Sequence, residues 1–183
     1  MSMFHSNTEL LIDYWRARAL GGALPSRASV NPADFSDLLP QVFVLGRVRA
    51  GVYPVRLAGG FVADLHHCDL RQQNGLGLWS ERDRLRMQTA LEEARLRPEP
   101  VVATAEVLTD GPSIGMEVLF APLAGLDGGP DRFLGLYQPL SVVARLMGRP
   151  ALELSVRALH GAGVANVEAP RIRLATLDGR RIA

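Results

Sequence analysis

"YPVRLAGGFVADLHHCDLRQQNGLGLW", residues 53–79, carries two adjacent histidines and the only cysteine of the chain. It begins as a strand: Tyr53, Val55 and Leu57 alternate onto one face and Arg56 points the other way. Gly59-Gly60 breaks that period, and "GGFVADLHH" (59–67) reads as a short helix. "DLRQQNGLGLW" (69–79) follows as a loop. Two readings of His66-His67-Cys68 compete: a helix end, or a site that does chemistry. Structural zinc needs pairs of ligands spaced to converge, and three consecutive residues point in different directions. The other histidines, His5 and His160, are far away in sequence. A cysteine–histidine nucleophile would also need an orienting acid and an oxyanion hole, which no motif marks. The stretch is read as architecture, with no catalytic residue and no metal.

Upstream, "QVFVLGRVR" (41–49) and "VYPVRLAG" (52–59) form a hairpin about Ala50-Gly51. Before it, "SNTE" (6–9) reads as a capping box with Ser6 at the cap and Glu9 three residues on. That helix should run to about Leu20, stopped by Gly21-Gly22 and Pro25, with Leu11, Ile12, Trp15 and Ala19 on one side. A short helix should open at Asn31-Pro32 and end before Pro40. Downstream, "SERDRLRMQTALEEARLR" (80–97) is the best helix, capped by Ser80 and stopped by Pro98, with the stripe Met87, Ala90, Leu91 and Ala94. Strands follow at 100–108, 113–123 and 132–140, separated by Asp110-Gly111 and Asp127-Gly128-Gly129. "ALELSVRAL" (151–159) alternates with Leu152, Leu154 and Val156 on one face, and "RIRLATL" (171–177) reads as a further strand. The order β-β-α-α-β-β-β predicts an α+β domain built on one five-stranded antiparallel sheet with helices on one face.

Composition limits function. The 183 residues suit one domain with flanking structure, and the formal net charge of +1 creates no field favouring nucleic acid or membrane. All 20 basic residues are arginine, which excludes a Schiff-base lysine and a P-loop lysine. One cysteine, no signal-like N-terminus and no long apolar run lead to the expectation of a cytoplasmic protein. The glycines of "GLG" (75–77) and "LAGG" (57–60) lack the strand–GxGxxG–helix order of a dinucleotide site. Arg171, Arg173, Arg180 and Arg181 make the tail basic, but no aromatic residue interleaves with them. Nucleic-acid binding through the tail is therefore a rival with little support.

The order of elements, together with "YW" (14–15), "LPSRASVNPADFSDLLPQVFVL" (24–45), "YPVRLAGG" (53–60), "DLRQQNGLGLW" (69–79) and "DRFLGLYQPL" (131–140), resembles the PAS superfamily, in particular the PAS_5-type family of short alphaproteobacterial proteins. The resemblance runs from about Leu10 to Val143. The typical glycine before the "DL" of that branch is Cys68 here. The resemblance implies a sheet in the order 2-1-5-4-3 and a sensory or docking role, with dimers commonly made through a helix before the first strand. Residues 1–30 are expected to form an N-terminal helix and linker, 31–143 the PAS-like domain, and 144–183 an appendage containing strand. Photoactive flavin members carry an "NCRFLQ"-like run where this chain has "DLRQQNGLGLW". Haem members offer a histidine from the long helix, and residues 80–97 have none. No cofactor is assigned.

The expected ligand cavity is lined by Val55, Leu57, Phe61, Leu65, Met87, Ala90, Leu91, Ala94, Met116, Val118, Phe120, Phe133 and Tyr137. Its ligand would be small and apolar, with Tyr137, Gln138 and Arg56 as the candidate polar anchors. Leu11, Tyr14 and Trp15 are the expected contact for a second copy. The function expected is a non-enzymatic regulatory module working through protein contacts, a homodimer with an unidentified signalling partner. A small hydrolase or thiol enzyme using Cys68 and a histidine is the rival.

Overall fold

The computed structural model describes residues 3–19, 23–125 and 128–161. The strand expected at 171–177, the tail arginines, the Gly21-Gly22 stop and Asp127 lie outside the described residues. Helix α1 spans Ser6–Arg16. Strands β1 (Val42–Gly46) and β2 (Val55–Ala58) precede α2 (Gly60–His66) and α3 (Glu81–Leu96). Strands β3 (Val101–Leu108), β4 (Ile114–Ala124), β5 (Pro130–Pro139) and β6 (Glu153–Gly161) complete the order. Every strand pairing is antiparallel.

The sheet runs β2-β1-β5-β4-β3-β6. Five strands therefore stand in the expected 2-1-5-4-3 order, and the count is corrected to six. β6 lies beside β3, with Val102 opposite His160 and Val107 opposite Leu154. It covers an edge that would otherwise expose a row of peptide groups. Leu154 and Val156 enter the core, whereas Leu152 lies ahead of the strand and is exposed.

Both faces of the sheet are covered. α2, α3 and the 70–79 segment bury one face through Met87, Leu91, Phe120 and Phe133. On the other, α1 lays Leu11, Ile12 and Trp15 against Leu119, Leu134 and Leu136, joined by Phe35 and Leu38 from a kinked 3-10 segment at Pro32–Gln41. Double coverage explains why β4 reads as a near-continuous apolar run. Phe43 sits on the backbone of β5, where a Cβ at Gly135 would lie 2.0 Å from its ring, so glycine is required there. The ring then meets Phe120 and Tyr137 edge-on.

Two helix starts differ from the expected caps. The N-cap of α1 is His5, whose ring accepts from the Asn7 amide. Glu9 accepts from the Phe4 amide, two residues upstream of the expected box. The chain enters the helix early because the His5 amide donates to buried Glu117 of β4, at 3.1 and 3.2 Å to the two oxygens. Ser80 precedes α3 as expected, but its hydroxyl donates to Asp83 rather than accepting from a helix amide.

Candidate functional site

The residues expected to line a cavity do converge between α2, α3 and the sheet, with one exception. Val55, Leu65, Met87, Ala90, Leu91, Ala94, Met116, Val118, Phe120, Phe133 and Tyr137 belong to one buried cluster, and Phe61 packs at its margin. Leu57 is the exception, 44 % exposed. The β1–β2 register explains it: Leu45 pairs with Val55 but Val44 pairs with Leu57, leaving Arg56 as an extra residue. A bulge of one residue exchanges the faces beyond it. Val55 and Ala58 therefore face the core, and Leu57 faces out. Arg56 is exposed and donates to Gln72. Gln138, one residue along β5 from inward-facing Tyr137, lies on the opposite face and accepts from Asn7 of α1. Of the three candidate polar anchors, only Tyr137 faces the cluster.

The cluster is almost filled. A cavity of about 10 Å³ remains among Phe43, Leu45, Val62, Trp79, Phe120, Tyr137 and their neighbours. That is room for about one water molecule, against roughly 300–1,000 Å³ for an ordinary ligand pocket. A flavin or haem does not fit among these side chains as they are packed. The flavin thiol has no counterpart inside either, since Cys68 is exposed.

The histidine–histidine–cysteine triplet comes apart at the end of α2. His67 takes the left-handed conformation that terminates the helix (φ 51°) and is exposed. Cys68 follows it outside. His66 turns inward, its Nε2 3.3 Å from the Tyr137 hydroxyl. Burial pushes the imidazole below its ordinary range, partly offset by the backbone at Ala151. Burial likewise raises the Tyr137 phenol. Neighbours in sequence thus belong to different environments, and no group of three or more metal-ligating side chains occurs among the described residues.

Two polar networks are not legible in the sequence. Glu92 of α3 accepts from Arg47 at 2.7 and 3.0 Å, from Arg95 at 3.1 Å and from the fully buried Tyr53 hydroxyl. The Arg47 guanidinium, with Tyr53 and Arg95, lowers the Glu92 carboxyl to about 2. Asp83, 4 % exposed, accepts from Ser80 at 2.7 Å and from the Val156 amide at 2.9 Å. The Ser80 amide donates to Leu154. The start of α3 thereby seals the outer edge of β6 at 154–156. Spacing on α3 pairs Glu92 with Arg95 and Asp83 with Ser80, but the partners that bury them, Tyr53 and Val156, are 39 and 73 residues away.

An open groove of about 790 Å³ lies between α3 and the end of β6. Leu85, Ala90, Ala94, Leu96 and Leu159 form its apolar part, and its rim carries Arg82, Arg86 and Arg97 against Glu93 and Glu99. Among the described residues, no backbone hydrogen bond reaches the outer edge of 157–161. The stripe of α1, by contrast, is already used. Leu11 and Trp15 are buried against their own sheet, and the indole N–H donates to the Pro122 carbonyl at 2.6 Å. Tyr14 packs on Phe35 and shares Asp34 with Arg18. Leu11 and Trp15 are thus not free for a second copy. Among the described residues, no helix is long and apolar enough to cross a membrane.

Comparison with solved structures finds light-oxygen-voltage and PAS domains. A solved light-oxygen-voltage domain, studied with a flavin analogue, is 13% identical with a TM-score of 0.47, over 60% of this chain and 83% of that one. A light-oxygen-voltage protein of Rhodobacter sphaeroides is 12% identical with a TM-score of 0.46, over 64% of this chain and 72% of that one. The PAS domain of the fruit-fly ELK potassium channel is 14% identical with a TM-score of 0.43, over 60% and 94%. No curated protein matches. The family profile described as PAS domain, PAS_5, matches residues 3–138, so the chain belongs to the PAS_5 family of PAS domains.

Proposed function

We propose that this chain is a non-enzymatic regulatory PAS module whose output is a protein contact, in keeping with the sensory role of its family. The contrast between the filled core and the open groove carries the reading: about 10 Å³ remains inside and about 790 Å³ beside β6. A ligand larger than water enters the core only by moving walls such as Trp79. A partner meets an apolar floor next to strand groups that have no backbone hydrogen bond on their outer edge among the described residues. The occupant that suits both is an extended segment of another protein, which adds to β6 at 157–161 and lays alternate apolar side chains in the groove.

The rival thiol chemistry cannot use His66 as its base in this arrangement, because that ring is turned inward to Tyr137 while Cys68 faces out beside His67. The test is capture with the full chain, comparing wild type, Leu85→Arg with Leu159→Arg, and the control Val48→Arg on an exposed residue elsewhere. A protein retained by wild type and the control but lost by the groove variant supports the proposal. Retention by all three, or thiol-dependent turnover abolished by Cys68→Ser, overturns it.

A further inference from the structure

The outer edge of β6 is closed over part of its length and open over the rest. At 154–156 the start of α3 closes it: the Ser80 amide donates to the Leu154 carbonyl at 2.8 Å, and the Val156 amide donates to Asp83 at 2.9 Å. From 157 to 161, among the described residues, no backbone hydrogen bond reaches that edge, and Leu159 and Gly161 line the groove beside it. Two large apolar side chains of α3 stand open on the same groove, Leu85 at 70% and Leu96 at 69% exposed. Residues 162–183 follow β6 directly and lie outside the described residues. Their stretch "RIRLATL" (171–177) alternates, with Ile172 and Leu174 two apart, and runs into the turn signal Asp178-Gly179. We propose, building on the docking role of this groove, that residues 172–176 add to β6 at 157–161 as a seventh strand and set Ile172 and Leu174 into the groove, so that a partner docks by displacing the chain's own tail.

Chain geometry and tethering favour this occupant over a second copy. Antiparallel neighbours need only a short connection, whereas a parallel neighbour needs a crossover of a dozen or more residues. Residues 162–171 make a short connection, so the added strand runs antiparallel to β6, back from Gly161 toward the start of α3. Extended, that connection reaches about 30 Å, and the next strand position lies only about 4.8 Å away. The length of the segment matches the length of the open edge. With Leu174 opposite Leu159, Ile172 falls opposite Gly161 and Thr176 opposite Arg157. Asp178-Gly179 then turns the chain away where α3 closes the edge. Residues directly opposite on an antiparallel pair share a face. This register therefore puts Ile172 and Leu174 on the side of Leu159, over the apolar part of the groove, and Arg171 and Arg173 on the other side. Such cover removes an open strand edge and an exposed apolar patch together. A segment held by a short connection meets its site at an effective concentration of about millimolar. An outside strand takes the groove only by binding it more tightly than the tail does.

Amide exchange of residues 157–161 in the full-length protein tests this. In wild type, the amides that face away from β3 should exchange about tenfold more slowly than in full-length Ile172→Asp with Leu174→Asp, at a concentration where light scattering gives a monomer. Backbone Overhauser contacts between 157–161 and 172–176 should accompany the protection, and they decide the matter if the variant does not fold. Equal exchange in the two proteins, absence of those contacts, or protection that grows with protein concentration overturns the proposal; the last result would give the edge to a second copy. The docking reading fails on a different result. In the capture experiment, a protein lost by Leu85→Arg with Leu159→Arg should be retained several-fold more by the tail variant than by wild type, and equal retention overturns displacement. Capture that is indifferent to the groove variant sinks docking, while the exchange result still decides the strand.

Discussion

Replacing Glu92 by glutamine removes the anion on which Arg47, Arg95 and Tyr53 converge while leaving the side chain's shape. The Arg47 hydrogen bonds, the largest influence, hold the carboxyl at about 2 against an ordinary 4.5. A depression of that size corresponds to about 3 kcal/mol at ~1.4 kcal/mol per unit. The side chain keeps 21% of its surface exposed, so solvent screening reduces the figure to roughly 1–2 kcal/mol. With a urea slope near 2 kcal/mol/M, the unfolding midpoint of Glu92→Gln at pH 7 should fall by about 0.5–1 M. The sign with pH follows from linkage. A carboxyl held below its unfolded value contributes its full stabilisation above about 4.5 and loses it as pH falls toward 2. The gap between wild type and variant should therefore close across that window. At the other end, burial and then Glu92 raise the Tyr53 phenol above its ordinary 10.0. Its contribution is present below pH 10 and declines above it in wild type. Equal midpoints at pH 7, or a gap that persists unchanged at pH 2.5, would refute the account of this network.

Gly135→Ala should destabilise strongly, by about 2–3 kcal/mol in denaturant melts, because the new Cβ meets the Phe43 ring and overpacks the core. Asp83→Ala should cost roughly 1–3 kcal/mol by leaving the buried Val156 amide unpaired; faster amide exchange at 154–156 than in the body of β4 is the accompanying signature. Leu57→Gln and Cys68→Ser, both at exposed positions, should each shift stability by less than about 0.5 kcal/mol. A loss of 2 kcal/mol or more in either would mean that the β2 bulge or the α2 terminus is misassigned.

Local pattern carried most of the fold. Alternation in 100–108, the turn residues Asp110-Gly111 and the apolar stripe of 80–97 lie within reach of one another along the chain, and propensity and period act at that range. The same is true of the helix end at 66–68, where His67 takes the left-handed conformation and Cys68 is exposed. Convergence of the cavity residues was also legible, since strand period and helix stripe assign faces once the order of elements is known. Tertiary structure decided the rest. Leu57 lost its place to a single bulged residue, which period-2 reading cannot detect. Leu11 and Trp15 found their cover on their own sheet rather than on a second copy, because the sheet's second face was still open and close at hand. Glu92, Asp83 and His66 acquired their roles from partners 39, 73 and 71 residues away. A hydrogen bond is satisfied by whatever group the fold brings to it, and no local period encodes which group that is.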